Sequence, residues 1–400
     1  VNRRNKSILI FEAEAKSILP AARAFAERGF HVVAASSKKH CVGFSTRYVH
    51  ETVRMPDQIQ QAAACGEFLL DLVRRREFEM ILPLGDEVTQ IVAAQRDAFA
   101  ECAKLVLVPY ETFMIGRNKI ATMKAAQKCG VPIPKTYDLR ETDFDAIDAE
   151  ASYPLLVKPA YSNGARGITY VHSKDEMIRV FGEISDGFGL SFIQELIPHT
   201  GLQYKTELLL NPAGDVLAQF AYSKIRFYPT EGGSSTLNQS VDYPEMVEHA
   251  IRLARDIGWY GMCDFDFIHD VRDKQPKLME INPRVTDTIR IAQLCGVDFF
   301  GILYEMACGG AITPITDYRK GLYMRFLPGE IMWFLKTKQK RFGLKPSFFR
   351  FFGSDVRYLV LSAADPGAFW GYLLENISAL FNARERAYKL RSPAKSSTHG

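Results

Sequence analysis

Strand-like and helix-like patterns alternate through the first quarter of this chain, and that alternation limits the fold more than any other feature. The segments run Ser7 to Phe11, Leu19 to Arg28, Val32 to Ala35, Gly66 to Arg76, Met80 to Pro83, Glu87 to Phe99 and Leu105 to Val108. A chain that switches its apolar period in this way builds βαβ units on a parallel sheet. Gly29 closes a helix before a strand, and Pro83-Leu84-Gly85-Asp86 follows a strand end, where open α/β sheets present ligands. A substrate contact from residues 84–88 is expected.

The rhythm changes after residue 115. A Lys- and Ala-rich helical segment from Ile115 to Cys129 stops at Gly130, and Val131-Pro132-Ile133-Pro134 leads into extended chain. Strand-like runs then recur at Leu155 to Lys158, Gly167 to Val171, Phe192 to Gln194, Tyr204 to Leu210 and Val216 to Ser223, an antiparallel α+β pattern. A helix is expected from Tyr243 to Ile257, and a hairpin from Cys263–His269 and Lys277–Ile281 joined by a polar stretch. Past residue 310 the pattern weakens, and the Ser-rich tail from Arg391 to Gly400 is expected to be disordered. Four hundred residues with 47% hydrophobic composition call for two or three packed subdomains.

Charge and cysteine content narrow the function classes. The formal net charge is +4 with no arginine-rich block, which argues against nucleic acid as a partner. Seven cysteines at 41, 65, 102, 129, 263, 295 and 308 form no CxxC or Cys/His metal spacing, so reduced thiols in a cytoplasm are expected. Ile8 to Phe11 is too short for a signal-peptide core, and no apolar run reaches the roughly 18 residues of a membrane span. The eight histidines are scattered outside any zinc spacing.

Two blocks carry chemistry. Lys158-Pro159 ends a strand, and Tyr161-Ser162-Asn163-Gly164-Ala165-Arg166-Gly167-Ile168 follows as a short polar loop whose glycines let backbone amides approach phosphate oxygens. An ordinary hairpin with a solvated lysine is the plainer reading of that block taken alone. The second block is Asp264-Phe265-Asp266-Phe267 with Met279-Glu280-Ile281-Asn282-Pro283-Arg284. Alternation puts Asp264 and Asp266 on one face of their strand, and Glu280 and Asn282 on one face of the next. Carboxylate and amide oxygens without His or Cys suit a hard ion such as Mg²⁺, and Arg284 offers a planar fork for phosphate or carboxylate. A surface acidic hairpin is the alternative, but the interleaved Phe and Ile residues argue for half-buried strands.

In this order and spacing the two blocks resemble the ATP-grasp superfamily, over residues 7–310. The resemblance implies a mixed α/β and α+β architecture. An amino-terminal parallel-sheet α/β domain (1–115) precedes an ATP-grasp small lobe with the phosphate loop (116–195) and a large lobe with the metal and substrate site (196–310), and a basic, aromatic C-terminal extension and tail (311–400) follows. It further implies ATP and Mg²⁺, or Mn²⁺ in its place, as cofactors. Lys119 and Lys158 would contact phosphate beneath the loop of Ser162, Gly164, Arg166 and Gly167. Gln194, Glu195, Leu196 and Ile197 resemble the adenine strand. Gln203 stands where the family often has a ribose-binding carboxylate, with Glu207 as a substitute. Asp266, Glu280 and Asn282 match the metal positions, and Arg284 the arginine that meets phosphate or the acyl intermediate. Lys224-Ile225-Arg226, Tyr228-Pro229 and Glu231-Gly232-Gly233-Ser234-Ser235 look like the substrate loop of carboxylate-amine ligases, which makes Arg226 a second catalytic candidate. Where the family often has glycine after Asn-Pro-Arg, this chain has Val285-Thr286-Asp287.

The expected reaction is activation of a small-molecule carboxylate as an acyl phosphate, captured by an amine, with ADP and phosphate released. An inactive nucleotide-binding regulatory or membrane-associated protein of the same fold is the alternative. A dinucleotide enzyme lacks its glycine fingerprint, since Glu12-Ala13-Glu14-Ala15 follows the first strand. Residues 319–352 combine Lys336, Lys338, Lys340, Arg341, Lys345 and Arg350 with Trp333, Phe334, Phe342, Phe348, Phe349, Phe351 and Phe352. This composition suits either a basic helical face over a buried aromatic one or peripheral contact with the inner face of a membrane. The sequence assigns neither the acid, the amine nor an oligomeric state.

Overall fold

A computed structural model describes residues 6–198, 203–230, 233–338 and 341–381. Gly201, Leu202, Glu231, Gly232, Lys340 and the tail from Arg391 to Gly400 lie outside the described residues. The first sheet is parallel, in the order β3-β2-β1-β4, from β1 (Ser7–Phe11), β2 (His31–Ser36), β3 (Glu51–Arg54) and β4 (Met80–Pro83). Helices cover both faces of β1, so Ile8 to Phe11 are all fully buried and read as one apolar run. The expected strand Leu105 to Val108 is absent. The chain makes only a parallel bridge between Met80 and Lys104 there before Pro109 leads into the helix Tyr110–Arg117. The edge strand β3 alternates half-buried and exposed residues and carries two charges in four positions, which hides it from an apolar-period search.

The expected helix from Ile115 to Cys129 is two helices, Tyr110–Arg117 and Lys119–Lys128. The break falls at Asn118, whose side chain caps the second helix by accepting from the amides of Ile120 at 3.0 Å and Ala121 at 3.3 Å. Lys119 is thereby set at a helix start. A second sheet, order β5-β8-β6-β7, comprises β5 (Thr136–Tyr137), β6 (Leu155–Pro159), β7 (Thr169–Val171) and β8 (Ser191–Glu195), all antiparallel. Tyr137, Ile147, Leu155, Val157, Val171, Met177, Val180 and Ile193 give it a core of its own.

The third sheet has seven strands in the order β13-β12-β9-β10-β11-β14-β15. They are β9 (Gln203–Leu210), β10 (Val216–Tyr228), β11 (Ser234–Ser240), β12 (Gly261–Asp270), β13 (Gln275–Asn282), β14 (Tyr323–Arg325) and β15 (Val356–Tyr358). The hairpin β12–β13 is as expected. Two further features differ from expectation: Ser234 and Ser235, expected in a substrate loop, open the strand Ser234–Ser240, and the chain past residue 310 supplies the last two strands.

The C-terminal segment is held by a buried ion triad. Glu330 Oε2 accepts from Arg226 Nη1 at 3.0 Å and from Arg325 Nη2 at 2.8 Å, while Thr236 Oγ1 donates to Oε1 at 3.3 Å. All three charged residues are at most 4% exposed, and the Arg226 guanidinium lies 4.5 Å from the Trp333 ring centroid. The basic, aromatic segment thus divides. Trp333 and Phe348 are buried, while Phe342, Phe349 and Phe352 are exposed. Replacing Glu330 by Ala leaves two buried guanidiniums without a carboxylate and is expected to cost about 3–5 kcal/mol. Urea unfolding measures this; a loss below about 1 kcal/mol would mean that the triad does not hold the segment.

Candidate active site

The register of three neighbouring strands assembles a carboxylate ladder. Asp264 pairs with Asn282 and Asp266 with Glu280 across β12–β13. On the other side of β12, Asp264 faces Glu207 and Asp266 faces Lys205 of β9. Lys205 Nζ donates to Asp264 Oδ1 and lies 2.8 Å from Asp266 Oδ2, and Lys224 Nζ of β10 donates to Asp266 Oδ1 at 2.9 Å. Asn282 Nδ2 donates to Asp264 Oδ1 at 2.8 Å and to Asp266 Oδ2 at 3.0 Å. Burial pushes Asp266 up, but Lys205 and Lys224 outweigh it and hold its carboxyl below the usual range. Burial raises Asp264 against the pull of Lys205, with Asp266 adding to the rise.

The phosphate loop meets this ladder through lysine. Lys119 Nζ donates to the Ser162 carbonyl oxygen and lies 3.1 Å from Glu280 Oε2, so one ammonium joins loop and carboxylate. Lys158, buried on β6, donates to Gln194 Oε1 at 2.6 Å. Burial lowers its pKa to about 8, with Lys119 adding to the shift and Glu280 opposing it. Gly164 and Gly167 take φ of 62° and 75°, the left-handed region that glycine occupies without penalty. Arg166 is engaged with Asn163 at the loop's tip.

Arg284 ties the ladder to the amino-terminal sheet, its Nε donating toward Asp86 Oδ2 at 2.9 Å. Asn163 Nδ2 of the phosphate loop reaches the same Asp86 oxygen at 3.3 Å. Burial raises Asp86, but Arg284 and Arg117 bring it below the usual carboxylate value. Within residues 84–88, where a substrate contact is expected, Asp86 meets Arg284 and Asn163 of the chain itself.

Of the adenine-strand candidates, Gln194 positions Lys158, Glu195 lies 2.5 Å from Arg272, and Ile197 is buried. Leu196 follows β8, and Gln203 opens β9. Glu207 is buried, accepts from Thr286 Oγ1 at 3.0 Å, and has an unpartnered Oε2. Burial and then Asp264 push it well above the usual range, against which the Thr286 hydroxyl acts. Arg226 stands elsewhere, in the Glu330 triad, because a β-bulge after Lys224 shifts the β10 register. Lys205 went unnoticed in the sequence, although it sits two residues from Glu207 on the same strand face.

Among the described residues no three His, Cys, Asp or Glu side chains form a ready-made metal cage. Two carboxylates with an amide oxygen nevertheless fit Mg²⁺ in donor type, since this ion takes few protein ligands and completes its octahedron with water and phosphate oxygens.

A buried lysine and a carboxylate ladder stand together in a mixed α/β fold with a separately packed lobe. Residues 116–288 match the family model for the ATP-grasp domain, so the chain carries an ATP-grasp domain over that stretch. It is 22% identical over 360 residues to the carbamoyl phosphate synthase large chain of Archaeoglobus fulgidus, covering 84% of this chain and 32% of that relative. The chain thus spans about a third of that relative's length. Among solved structures, the biotin carboxylase domain of 2-oxoglutarate carboxylase from Hydrogenobacter thermophilus, solved with MgADP, ADP and bicarbonate, has a TM-score of 0.65 at 18% identity. The match covers 80% of this chain and 73% of that one. The L-amino acid ligase of Bacillus licheniformis has a TM-score of 0.57 at 17% identity, covering 78% of each chain.

The buried Lys158 carries a pH signature. Its pKa falls from the ordinary 10.5 to about 8 on folding. Between those values the unfolded chain binds the extra proton, so this group makes stability rise with pH across that window. Below about 8 the folded lysine carries its proton at a desolvation cost, and above 10.5 neither state does. Lys158→Met is expected to remove that rise. The stability difference between variant and wild type, followed by urea unfolding through the window, checks it; a constant difference would contradict the buried placement.

Proposed function

We propose that this chain is an ATP- and Mg²⁺-dependent ligase that activates a carboxylate as an acyl phosphate and joins it to an amine. The Lys119 bridge between the loop of residues 161–168 and Glu280 carries this reading, because an ammonium shared by a glycine-bearing loop and the carboxylate ladder is what a site for phosphate and a divalent ion would need. Lys119 and Lys158 would hold the phosphates, with Ser162, Gly164, Arg166 and Gly167 folding over them. Asp266, Glu280 and Asn282 would hold Mg²⁺, which supplies charge neutralisation at the transferring phosphoryl group. Arg284, fixed by Asp86, would orient the carboxylate and steady the charge on its acyl phosphate. A carboxylate oxygen bonds to the γ-phosphorus as ADP leaves. The amine nitrogen then bonds to the acyl carbon, phosphate leaves, and the amine loses a proton. The MgADP, ADP and bicarbonate of the biotin carboxylase domain structure and the similarity to an L-amino acid ligase support the nucleotide and the bond type.

An inactive nucleotide-binding protein would have no use for this ladder, whose buried acids are costly without a task. Seven free cysteines fit a reducing compartment such as the cytoplasm. Among the described residues no helix is long and apolar enough to cross a membrane.

Glu280→Gln and Asn282→Ala are expected to abolish ADP formation with any acceptor while leaving the fold intact, since each removes an oxygen ligand rather than core packing. Coupled-enzyme detection of ADP and circular dichroism check this; turnover at wild-type rate in saturating Mg²⁺ would sink the assignment. A peripheral contact with anionic lipid rests on the exposed Phe342, Phe349 and Phe352 beside Arg341 and Lys345. Sedimentation with phosphatidylserine vesicles is expected at low salt and should weaken as the Debye length falls from about 10 Å at 0.1 M to about 3 Å at 1 M. Failure to sediment at low salt assigns the segment to packing alone.

A further inference from the structure

Another buried acid lies apart from the carboxylate ladder, at the carboxyl end of the parallel sheet. Glu12 directly follows β1, is 5% exposed, and adopts a φ of 61°. That region is disfavoured for any residue with a Cβ. Its carboxyl group rests on Gly85, where an added Cβ would come within 2.2 Å of Glu12 Oε2. A glutamate in a disfavoured backbone conformation thus lays its carboxyl group on the open face of Gly85, in space that any larger residue there would take from it.

The surroundings are rich in acceptors and poor in donors. Gln58 Nε2 donates to Glu12 Oε1 at 3.2 Å and to Glu14 Oε1 at 3.0 Å, and Ser36 Oγ donates to Glu14 Oε2 at 2.6 Å. Glu12 Oε2 and Gln58 Oε1 are buried without a hydrogen-bond partner. Asp86 has Arg284 at 2.9 Å and Glu87 has Arg117 at 3.7 Å, whereas the donors that meet Glu12 and Glu14 are neutral. The missing complement is a group with several N–H donors and a positive charge, which describes an ammonium. Strand carboxyl ends are where open α/β sheets take ligands. Asp86, next to Gly85 in the chain, is bound to both Arg284 and Asn163 and so links this acid to the proposed site.

We propose that Glu12, Glu14 and Gln58 form the pocket in which an amine-bearing substrate docks its ammonium group. The pocket rests on the ligase reading and adds the substrate's charge to it. Burial, with Glu14, Glu87 and Asp86 adding to it, pushes Glu12 well above the usual carboxylate range, while the Gly85 amide opposes. The donors set against Glu12 are the Gln58 side-chain amide and the Gly85 backbone amide, and a docking ammonium would supply the donor that Glu12 Oε2 lacks.

The test uses the full chain and saturation-transfer NMR with the protein amino acids, ornithine, putrescine and spermidine as probes. At least one amine is expected to bind, its alcohol analogue is not, and Glu12→Gln and Glu14→Gln should each weaken binding by about tenfold or more with ADP affinity unchanged. Gly85→Ala, which displaces the carboxyl, should weaken the amine similarly, and thermal melting confirms that each variant is folded. If no probe binds, or binding ignores both glutamate substitutions, the pocket is overturned. Carboxylate-dependent amine binding without ADP formation would keep the pocket and sink the ligase reading. ADP formation with an amine whose KM ignores both substitutions would do the reverse.

Discussion

The buried ammonium of Lys205 between Asp264 and Asp266 is the contact on which the site depends. Two aspartates at most 7% exposed on one strand would repel each other and lack solvation. Lys205 and Lys224, from the next two strands, cancel those charges. The lysines can do so only because β9, β10 and β12 pair in one register, for a slip of one residue would turn every side chain to the opposite face. Electrostatics and strand pairing therefore specify each other. The same register brings Glu280 and Asn282 beside the aspartates, so the proposed metal positions come with the sheet rather than with a loop.

Around this rigid ladder the remaining groups arrive from separately packed parts. The lobe of β5 to β8 has its own core, and a small apolar group of Ile120, Ala160 and Phe192 lies beneath its phosphate loop. Its polar ties are Lys119 to Ser162 and Asn163 to Asp86. Contacts of that kind can be exchanged for phosphate oxygens at little cost, whereas a core cannot be opened. The loop is thus placed on the part of the molecule best able to close over a ligand.

Much of this was readable from the sequence, and the gaps have physical causes. Period changes marked the parallel sheet, the hairpin β12–β13 and the helix after residue 243, because each buries an apolar face of regular spacing. The strand Ser234 to Ser240 is not legible in the sequence because a run of mostly Ser, Thr, Asn and Gln has no apolar period, though Leu237 and Asn238 are buried. Arg226 was read as catalytic from its place after Lys224, but strand phase cannot be counted across a bulge. The ladder's acids were visible in their alternation. Their partners Lys205 and Asp86 were not, because the pairing of distant strands and the Asp86–Arg284 contact are properties of the tertiary fold.

The charges left over after all this pairing give the site a direction. Lys119 and Lys158 stand at the loop end, where phosphates would bring negative charge. Glu12 and Glu207 are buried acids raised by desolvation, each with an oxygen that has no partner. Arg284 and Asp86 are matched to each other. A polyanion is drawn toward the lysines, whereas the unfilled acceptors of the two glutamates call for donors, so in the proposed ligase the two substrates would be held by different groups, and holding them in place is a large part of what an acyl-transfer site must supply.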